Sequence, residues 1–277
     1  MRRFGAVFGV ILALISGYVS AETVYFETPR AISDDTARFP SVMTVDDELI
    51  IIYQENRLLD IEEEGDEEEK AGEIYISVLA SDRGREWERY PQRIGPIPYA
   101  GDQPPYLFSS LSTSAGAIYI AITESAEQTA IYRSTDGGRT FVVVHRLSTE
   151  RTNVAPRLSE TSDGSILLFV NQNLNGRQQS VFLLSEDGER WTEPESLEPD
   201  DEIGLTFLPS HAHLSGRDFV VFQGLNVTER STYQLYLKTS ADGGRTWSSA
   251  RRLTNFIDPV LTDDPDLFDN QRPDLAA

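Results

Sequence analysis

Short apolar runs rich in Val, Ile, Leu, Tyr and Phe follow one another along this chain, and clusters of Asp, Asn, Gly, Ser and Pro separate them. Runs of this length and composition, bounded by turn-forming residues, are typical of β-strands. No segment keeps a helical period over several turns. The pattern predicts four units of four strands, at residues 41–45, 49–54, 73–79 and 87–90; 106–113, 117–123, 129–133 and 141–145; 157–160, 165–171, 180–184 and 191 onward; 207–214, 218–223, 232–238 and 247–253.

A short phrase recurs between the third and the fourth strand of each unit. An acid is followed two residues later by Gly and five residues later by an aromatic residue. The acids are separated by 54, 50 and 56 residues, a spacing that indicates a repeat architecture. An acid shortly before Gly favours a tight turn, so each phrase predicts a turn between two strands. The acids are Asp82, Asp136, Glu186 and Asp242, and the aromatic residues are Trp87, Phe141, Trp191 and Trp247.

These phrases resemble the Asp-box, or BNR repeat, of sialidases and of many non-enzymatic β-propellers. The second and fourth copies match the full Ser-x-Asp-x-Gly-x-Thr-aromatic pattern, whereas the first has Ala80 and the third has Leu184 at the Ser position. The resemblance implies an all-β propeller whose blades each have four strands. In that family the boxes lie on the edge away from the binding face, which implies that the four box acids are structural.

The end of the sequence is similar to the start of the earlier units. Residues 269–276 compare with 37–42 and 153–158, and each segment contains a Pro, at Pro40, Pro156 and Pro273. This similarity predicts four blades plus the first strand of a fifth. We therefore expect a truncated, six-bladed sialidase-like propeller, and the alternative is a complete small propeller whose last strand closes a blade.

Residues 1–21 have the features of a secretory signal peptide. Arg2 and Arg3 precede an apolar stretch at 4–19, and small residues lie near Ala21. The alternative is a retained anchor helix, but the stretch is shorter than the roughly 20 apolar residues that a spanning helix needs. We expect cleavage after Ala21, a propeller domain at 22–277, no membrane span after cleavage, and a periplasmic or extracellular location.

Charge and cysteine content narrow the classes of partner. The chain has 24 Lys and Arg against 45 Asp and Glu, a net charge of −21. Such a surface repels phosphate groups, so we expect no nucleic-acid partner. An anionic ligand would be repelled as well unless cations are concentrated at its site. Cysteine is absent, so the core must form without disulfides.

The face of a propeller that carries the loops after the second strands is where ligands usually bind. The residues predicted to contact a ligand there are Arg38, Arg57, Tyr106, Arg157 and Arg272.

The sequence Arg-Phe-Pro at 38–40, followed by a strand that ends at Arg57, resembles the start of a sialidase. That family binds the sialate carboxylate with three arginines, and uses an Asp as acid/base and a Tyr with a partner Glu as nucleophile. The resemblance implies that Arg38 is the first carboxylate clamp and that Arg57 is a rim arginine. Asp60 is the preferred acid/base and Asp66 the second candidate, within the acidic segment 60–72, which is otherwise a solvated loop or a cation site.

Two functions of different class compete. The first is a binding module of a larger exported protein, which holds a glycan or a protein ligand at this face. The second is an exo-sialidase or related glycoside hydrolase. No cofactor and no metal are predicted, because His211 and His213 share a strand face but no third ligand follows from the spacing.

Overall fold

A computed structural model describes residues 31, 36–59, 71–82, 84, 86–100, 107–125, 127–148, 156–174, 177–198, 203–226, 233–255 and 273–275. The chain divides into two units, Met1–Ile32 and Ser33–Ala277. The first unit, which contains the predicted signal peptide, lies outside the described residues except for Ala31. Every strand given below belongs to the second unit. Within the described ranges, no helix is long and apolar enough to cross a membrane.

In the described part of the chain, seventeen strands form four antiparallel sheets, and within each sheet the first four strands follow chain order. The first sheet contains β1 (Ala37–Val45), β2 (Glu48–Leu59), β3 (Ala71–Ser81), β4 (Glu88–Arg89) and β5 (Ile94–Ala100). The second contains β6 (Phe108–Ser112), β7 (Ile118–Ser125), β8 (Gln128–Ser134) and β9 (Val142–Ser148). The third contains β10 (Arg157–Glu160), β11 (Ile166–Leu174), β12 (Arg177–Ser185) and β13 (Glu195–Ser196). The fourth contains β14 (Ile203–Leu214), β15 (Arg217–Asn226), β16 (Gln234–Ser240) and β17 (Arg251–Arg252). The prediction of an all-β chain built from successive four-stranded units is confirmed, with one additional strand in the first sheet.

The additional strand is β5, which pairs with the first half of β3. It contains Pro96 and Pro98, and Pro98 lies opposite Glu73. Proline has no N–H to donate to a ladder, so a strand that contains it is confined to the edge of a sheet. The prolines are compatible with β5 because no further strand pairs with its other side within the described residues.

Three apolar layers hold the four sheets together. Ile52 of the first sheet packs with Ile120 of the second, and Leu168 of the third lies in a cluster with Ala121 of the second. Phe222 of the fourth sheet joins the cluster that contains residues of the third. The strands alternate their side chains between two faces, so each inner sheet contributes to two layers. Burying each large aliphatic or aromatic side chain stabilises the fold by about 1.5–3 kcal/mol.

The first strands of successive sheets also contact one another. Leu158 N donates to Ser109 Oγ at 3.1 Å, which joins β10 to β6. Leu275 N donates to Ser210 Oγ at 3.0 Å in the same manner, which joins residues 273–275 to β14. Both donors follow a Pro by two residues. Residues 273–275 therefore contact the first strand of the fourth sheet in the same way that the start of β10 contacts the first strand of the second sheet.

Candidate functional site

The two ends of each sheet differ in chemistry. At the end that we call the upper edge, the second strand finishes and the third begins; at the other end, the box edge, the third strand enters the Asp-box turn. Ion pairs join neighbouring sheets at the box edge. Arg245 of the fourth box reaches Asp163 of the third sheet at 2.6 Å, and Arg139 of the second box reaches Glu48 of the first sheet at 3.5 Å. The box edges of these sheets therefore lie on one side of the molecule.

The acids of the second and fourth boxes hold their turns closed. Asp242 accepts bonds from Ser240 Oγ at 2.8 Å, Thr246 N at 2.9 Å and Thr246 Oγ1 at 2.6 Å, and Ser240 Oγ accepts the N–H of Gly244. The hydrogen bonds from Thr246 lower the pKa of Asp242 to about 2. Asp136 makes the three equivalent bonds in its own turn. Both carboxylates are engaged within their own turns.

The third box requires a correction. Asp187, not Glu186, ties this turn, because its Oδ1 accepts two backbone N–H groups at 2.8 and 2.9 Å. Ser185 takes the Ser position in place of Leu184, and its Oγ accepts Gly188 N at 2.8 Å. The turn has one residue fewer between Ser and the aromatic residue than in the second and fourth boxes. The acid that closes the third turn, Asp187, therefore lies one position after the predicted acid, Glu186.

The first box has the same shortened form. Ser81 Oγ accepts the N–H of Gly84 at 2.8 Å, so Ser81 and not Ala80 holds the Ser position. The residue two positions after Ser81 is Arg83, so this turn has no acid at the box position. Asp82 corresponds to Glu186 and not to the turn-forming Asp187, which corrects its predicted role as well.

A buried acid organises the upper edge of the first sheet. The Glu55 side chain is only 8% exposed, forms ion pairs with Arg89 and with Arg93 at 3.4 Å, and accepts the Tyr53 hydroxyl at 2.9 Å. Arg93 also stacks on Tyr75, with Cζ 4.4 Å from the ring centroid. Both arginines remain nearly half exposed, so part of each guanidinium faces solvent. No local sequence pattern predicts this cluster, because Arg89 and Arg93 follow the box, far from Glu55 in the chain.

The two predicted arginines of the first sheet lie on opposite faces of it. Arg38 is paired with Gln54 across the ladder, and Arg57 with Glu73. Side chains alternate along a strand, so Arg57, three residues after Gln54, points away from the face that carries Arg38. A single carboxylate held between these two side chains is therefore not favoured by the register.

A strained bulge sets the position of Arg38. Two residues of β1 oppose one of β2 between Arg38 and Ser41, and Phe39 has a φ of 51°. The same bulge recurs in β14, where Leu208 has a φ of 47°. A positive φ is costly for bulky residues, and such strain occurs often at functional sites.

Tyrosine and glutamate are also paired at the upper edge. The Tyr75 hydroxyl donates to Glu73 Oε2 at 2.8 Å, and the Tyr132 hydroxyl donates to Glu124 Oε1. The bond to Glu73 raises the pKa of Tyr75, and burial together with Glu124 raises the pKa of Tyr132. Both phenols are thus kept protonated, which disfavours either as a phenolate nucleophile.

Polar side chains are buried at the upper edge of the second and third sheets. Asn171 is 4% exposed, and its Oδ1 accepts Ser180 Oγ at 3.0 Å. Its Nδ2 has no acceptor among the residues described. Thr123 and Thr129 face each other across β7 and β8, and each hydroxyl is buried without a partner in the described ranges. Buried polar groups normally find a partner, so water or a ligand that reaches this edge would complete the hydrogen bonding of these groups.

A Ser-His-Asp network that no sequence motif predicts joins the third and fourth sheets. His211 Nδ1 lies 2.6 Å from Ser159 Oγ, and Nε2 lies 3.2 Å from Asp218 Oδ1. The carboxylate of Asp218 also accepts Ser162 N at 2.7 Å and Ser162 Oγ at 2.6 Å. The side chains of His211 and Asp218 are 1% and 0% exposed. Burial at this depth indicates a structural network.

The remaining predicted residues divide into two groups. Arg157 is exposed at the start of β10, opposite Phe169. Asp60, Asp66, Tyr106 and Arg272 lie outside the described residues. His213 is exposed, unlike His211, and the described part of the chain contains no group of three His, Asp or Glu side chains arranged to hold a metal.

Sequence comparison gives one informative relative. No protein-family model matches the chain. A sialidase of Bacteroides fragilis (strain YCH46) is 28% identical over 128 residues, which are 44% of this chain and 23% of the sialidase. The match therefore spans less than a quarter of that relative's length.

Solved structures give the fold. An α-L-arabinanase of Penicillium chrysogenum in complex with arabinobiose has a TM-score of 0.52 at 16% identity, with 79% of this chain and 67% of that chain covered. An α-L-arabinofuranosidase of Fusarium graminearum in complex with an iminosugar inhibitor has a TM-score of 0.50 at 14% identity, with 80% and 68% covered. Both are β-propeller enzymes. At these identities the likeness is evidence for the fold alone.

Proposed function

We propose that this chain is a carbohydrate-binding β-propeller module of a larger exported protein, and that it holds a glycan at the upper edge. The observation that carries the proposal is the set of buried hydrogen-bonding groups without partners there, at Asn171, Thr123 and Thr129. Burying such groups without partners opposes folding, so a polar ligand that reaches this edge would supply hydrogen bonds that these three groups lack.

The comparisons support carbohydrate as the ligand class. The sequence relative is named a sialidase, and one structural neighbour was solved with arabinobiose. Exposed arginines near this edge, Arg57 and Arg157, supply donors for sugar hydroxyls or carboxylates. Export follows from the signal-like residues 1–21.

We also propose that the propeller has a fifth blade that begins at Pro273. The bond from Leu275 N to Ser210 Oγ repeats the bond that joins the third sheet to the second, which supports this assignment.

The alternative function is an exo-sialidase, and the match to a sialidase sequence favours it. It assigns Arg38 to the carboxylate clamp and Asp60 or Asp66 to the acid/base, with the Tyr nucleophile beyond this chain. It predicts that Arg38→Ala abolishes hydrolysis of a fluorogenic sialoside by the full-length protein and leaves the unfolding temperature unchanged. Unchanged hydrolysis would exclude the clamp role.

Binding is tested on a glycan array with the purified chain, the Arg57→Ala and Arg157→Ala variants, and Asp47→Asn as control. Asp47 lies in the exposed β1–β2 turn at the opposite end of the sheet from Arg57. We expect retention of at least one glycan by the chain and the control, and weaker retention by the arginine variants. Equal retention by all four proteins would contradict an upper-edge site.

A further inference from the structure

A cavity opens at the box edge, on the opposite side of the molecule from the proposed glycan site. Its volume is about 490 Å³, within the range of small-ligand pockets. Two sheets form it, because Arg245 of the fourth box extends over the third box. Its lining includes Leu184, Glu186, Asp187, Arg190, Trp191 and Arg245.

The polar groups of this cavity are held in place by bonds within the protein. Arg245 donates to Asp163 Oδ2 at 2.6 Å and to Glu186 Oε1 at 2.5 Å. Arg190 Nε donates to Asp187 Oδ2 at 2.7 Å, and Asp187 is itself fixed by two backbone N–H groups. Groups ordered before a ligand arrives lower the entropy cost of binding.

The charges of the cavity balance. Two acids, Glu186 and Asp187, line it together with two arginines, Arg190 and Arg245, and each arginine is paired with an acid. The net charge of the whole chain, −21, disfavours an anionic ligand further. The guanidinium N–H groups and carboxylate lone pairs left over from these pairs suit a ligand with many neutral hydroxyl groups.

An aromatic side chain completes the lining. Trp191 is half-buried, and its ring centroid lies 6.0 Å from that of His145. The indole Nε1 is buried and has no acceptor among the residues described, so the ring surface and not this N–H is what Trp191 presents to the cavity. The apolar ring of Trp suits a ligand with an apolar face, and the arginines and acids beside it suit polar groups at the rim of that ligand. A sugar ring has this character, with C–H groups on its face and hydroxyls around its rim.

We propose that this cavity binds a neutral saccharide, with one sugar ring against Trp191 and its hydroxyl groups bonded to Glu186 and Arg190. The site lies at the opposite edge of the sheets from the proposed glycan site, and it does not depend on that site.

The test is ¹⁹F NMR of the chain labelled with 5-fluorotryptophan, which reports on Trp87, Trp191 and Trp247 separately. The probes are maltotriose, xylotriose, arabinotriose and mannotriose, each added up to about 10 mM, with sialyllactose as the charged comparison. We expect a saturable shift of the Trp191 resonance with at least one neutral trisaccharide and none at Trp247. No shift with any neutral trisaccharide, or a shift with sialyllactose alone, would overturn the proposal.

Two variants separate binding from folding. Arg190→Ala removes a side chain that is 91% exposed, so the fold should be retained. The variant should bind the saccharide about tenfold more weakly. Arg139→Ala removes an arginine of the second box that does not border the cavity, and it should leave binding unchanged. Equal binding by both variants would exclude the assigned role of Arg190, and unchanged Trp87 and Trp247 resonances would show that the fold is intact.

Discussion

Removing the Asp218 carboxylate should destabilise the protein strongly. Asp218→Ala leaves three donors without their acceptor: Ser162 N, Ser162 Oγ and His211 Nε2, at 2.7, 2.6 and 3.2 Å in the native protein. Asp218 is fully buried, so water does not replace the lost bonds. At about 1–3 kcal/mol for each unsatisfied buried group, and allowing for partial relaxation, we expect a loss of about 3–5 kcal/mol.

The assay is guanidinium unfolding followed by tryptophan fluorescence. Trp247 lies 6.3 Å from the ring of His211, so its emission reports on this junction. In a thermal scan, a loss of this size should also lower the unfolding temperature by about 10 °C in a chain of this length. Asp218→Asn keeps the shape and one acceptor and should cost about 1–3 kcal/mol, whereas Asp47→Asn in an exposed turn should stay within about 0.5 kcal/mol. A loss below about 1 kcal/mol for Asp218→Ala would refute the network as a stabilising junction.

Three further predictions concern protonation and the boxes. Burial lowers the pKa of His211 below 6.5, against the opposing effect of Asp218, so as the pH falls the unfolded chain is protonated at this residue before the folded chain. The free energy of unfolding should therefore decrease as the pH drops below about 6.5. His211→Gln should reduce this pH dependence in denaturant titrations. Asp242 has a folded pKa of about 2 against 3.8 as its ordinary value, so its contribution is complete above about pH 4 and is lost toward pH 2; Asp242→Asn should remove this part of the acid unfolding curve seen by circular dichroism. Asp187→Ala should lower the unfolding temperature in calorimetry while Glu186→Ala leaves it nearly unchanged, and the reverse order would contradict the corrected box assignment.

Local features of the fold were predictable from the sequence. Apolar runs bounded by turn formers identify most strands, and the acid–Gly–aromatic spacing locates all four boxes. The third acid was misplaced because two turns are one residue shorter, which only the bonds of Ser185 and Asp187 reveal. Strand β5 was missed because Pro96 and Pro98 argue against a strand unless an edge is available.

Long-range features of the candidate site were not predictable. Ser159 and His211 are 52 residues apart, and their contact depends on how the third and fourth sheets pack. The opposite orientation of Arg38 and Arg57 follows from the ladder register, which a bulge in β1 shifts. The arginines that pair with Glu55 come from the segment after the first box, and no local pattern links them to it.

The most direct test of the proposed function is a crystal structure of the chain soaked with the glycan that the array retains best. We predict difference density at the upper edge, with a sugar hydroxyl within hydrogen-bond distance of Asn171 Nδ2 or of the exposed guanidinium of Arg57 or Arg157. Density restricted to other surfaces, or a protein that retains no glycan at all, would contradict a carbohydrate-binding propeller with its site at this edge.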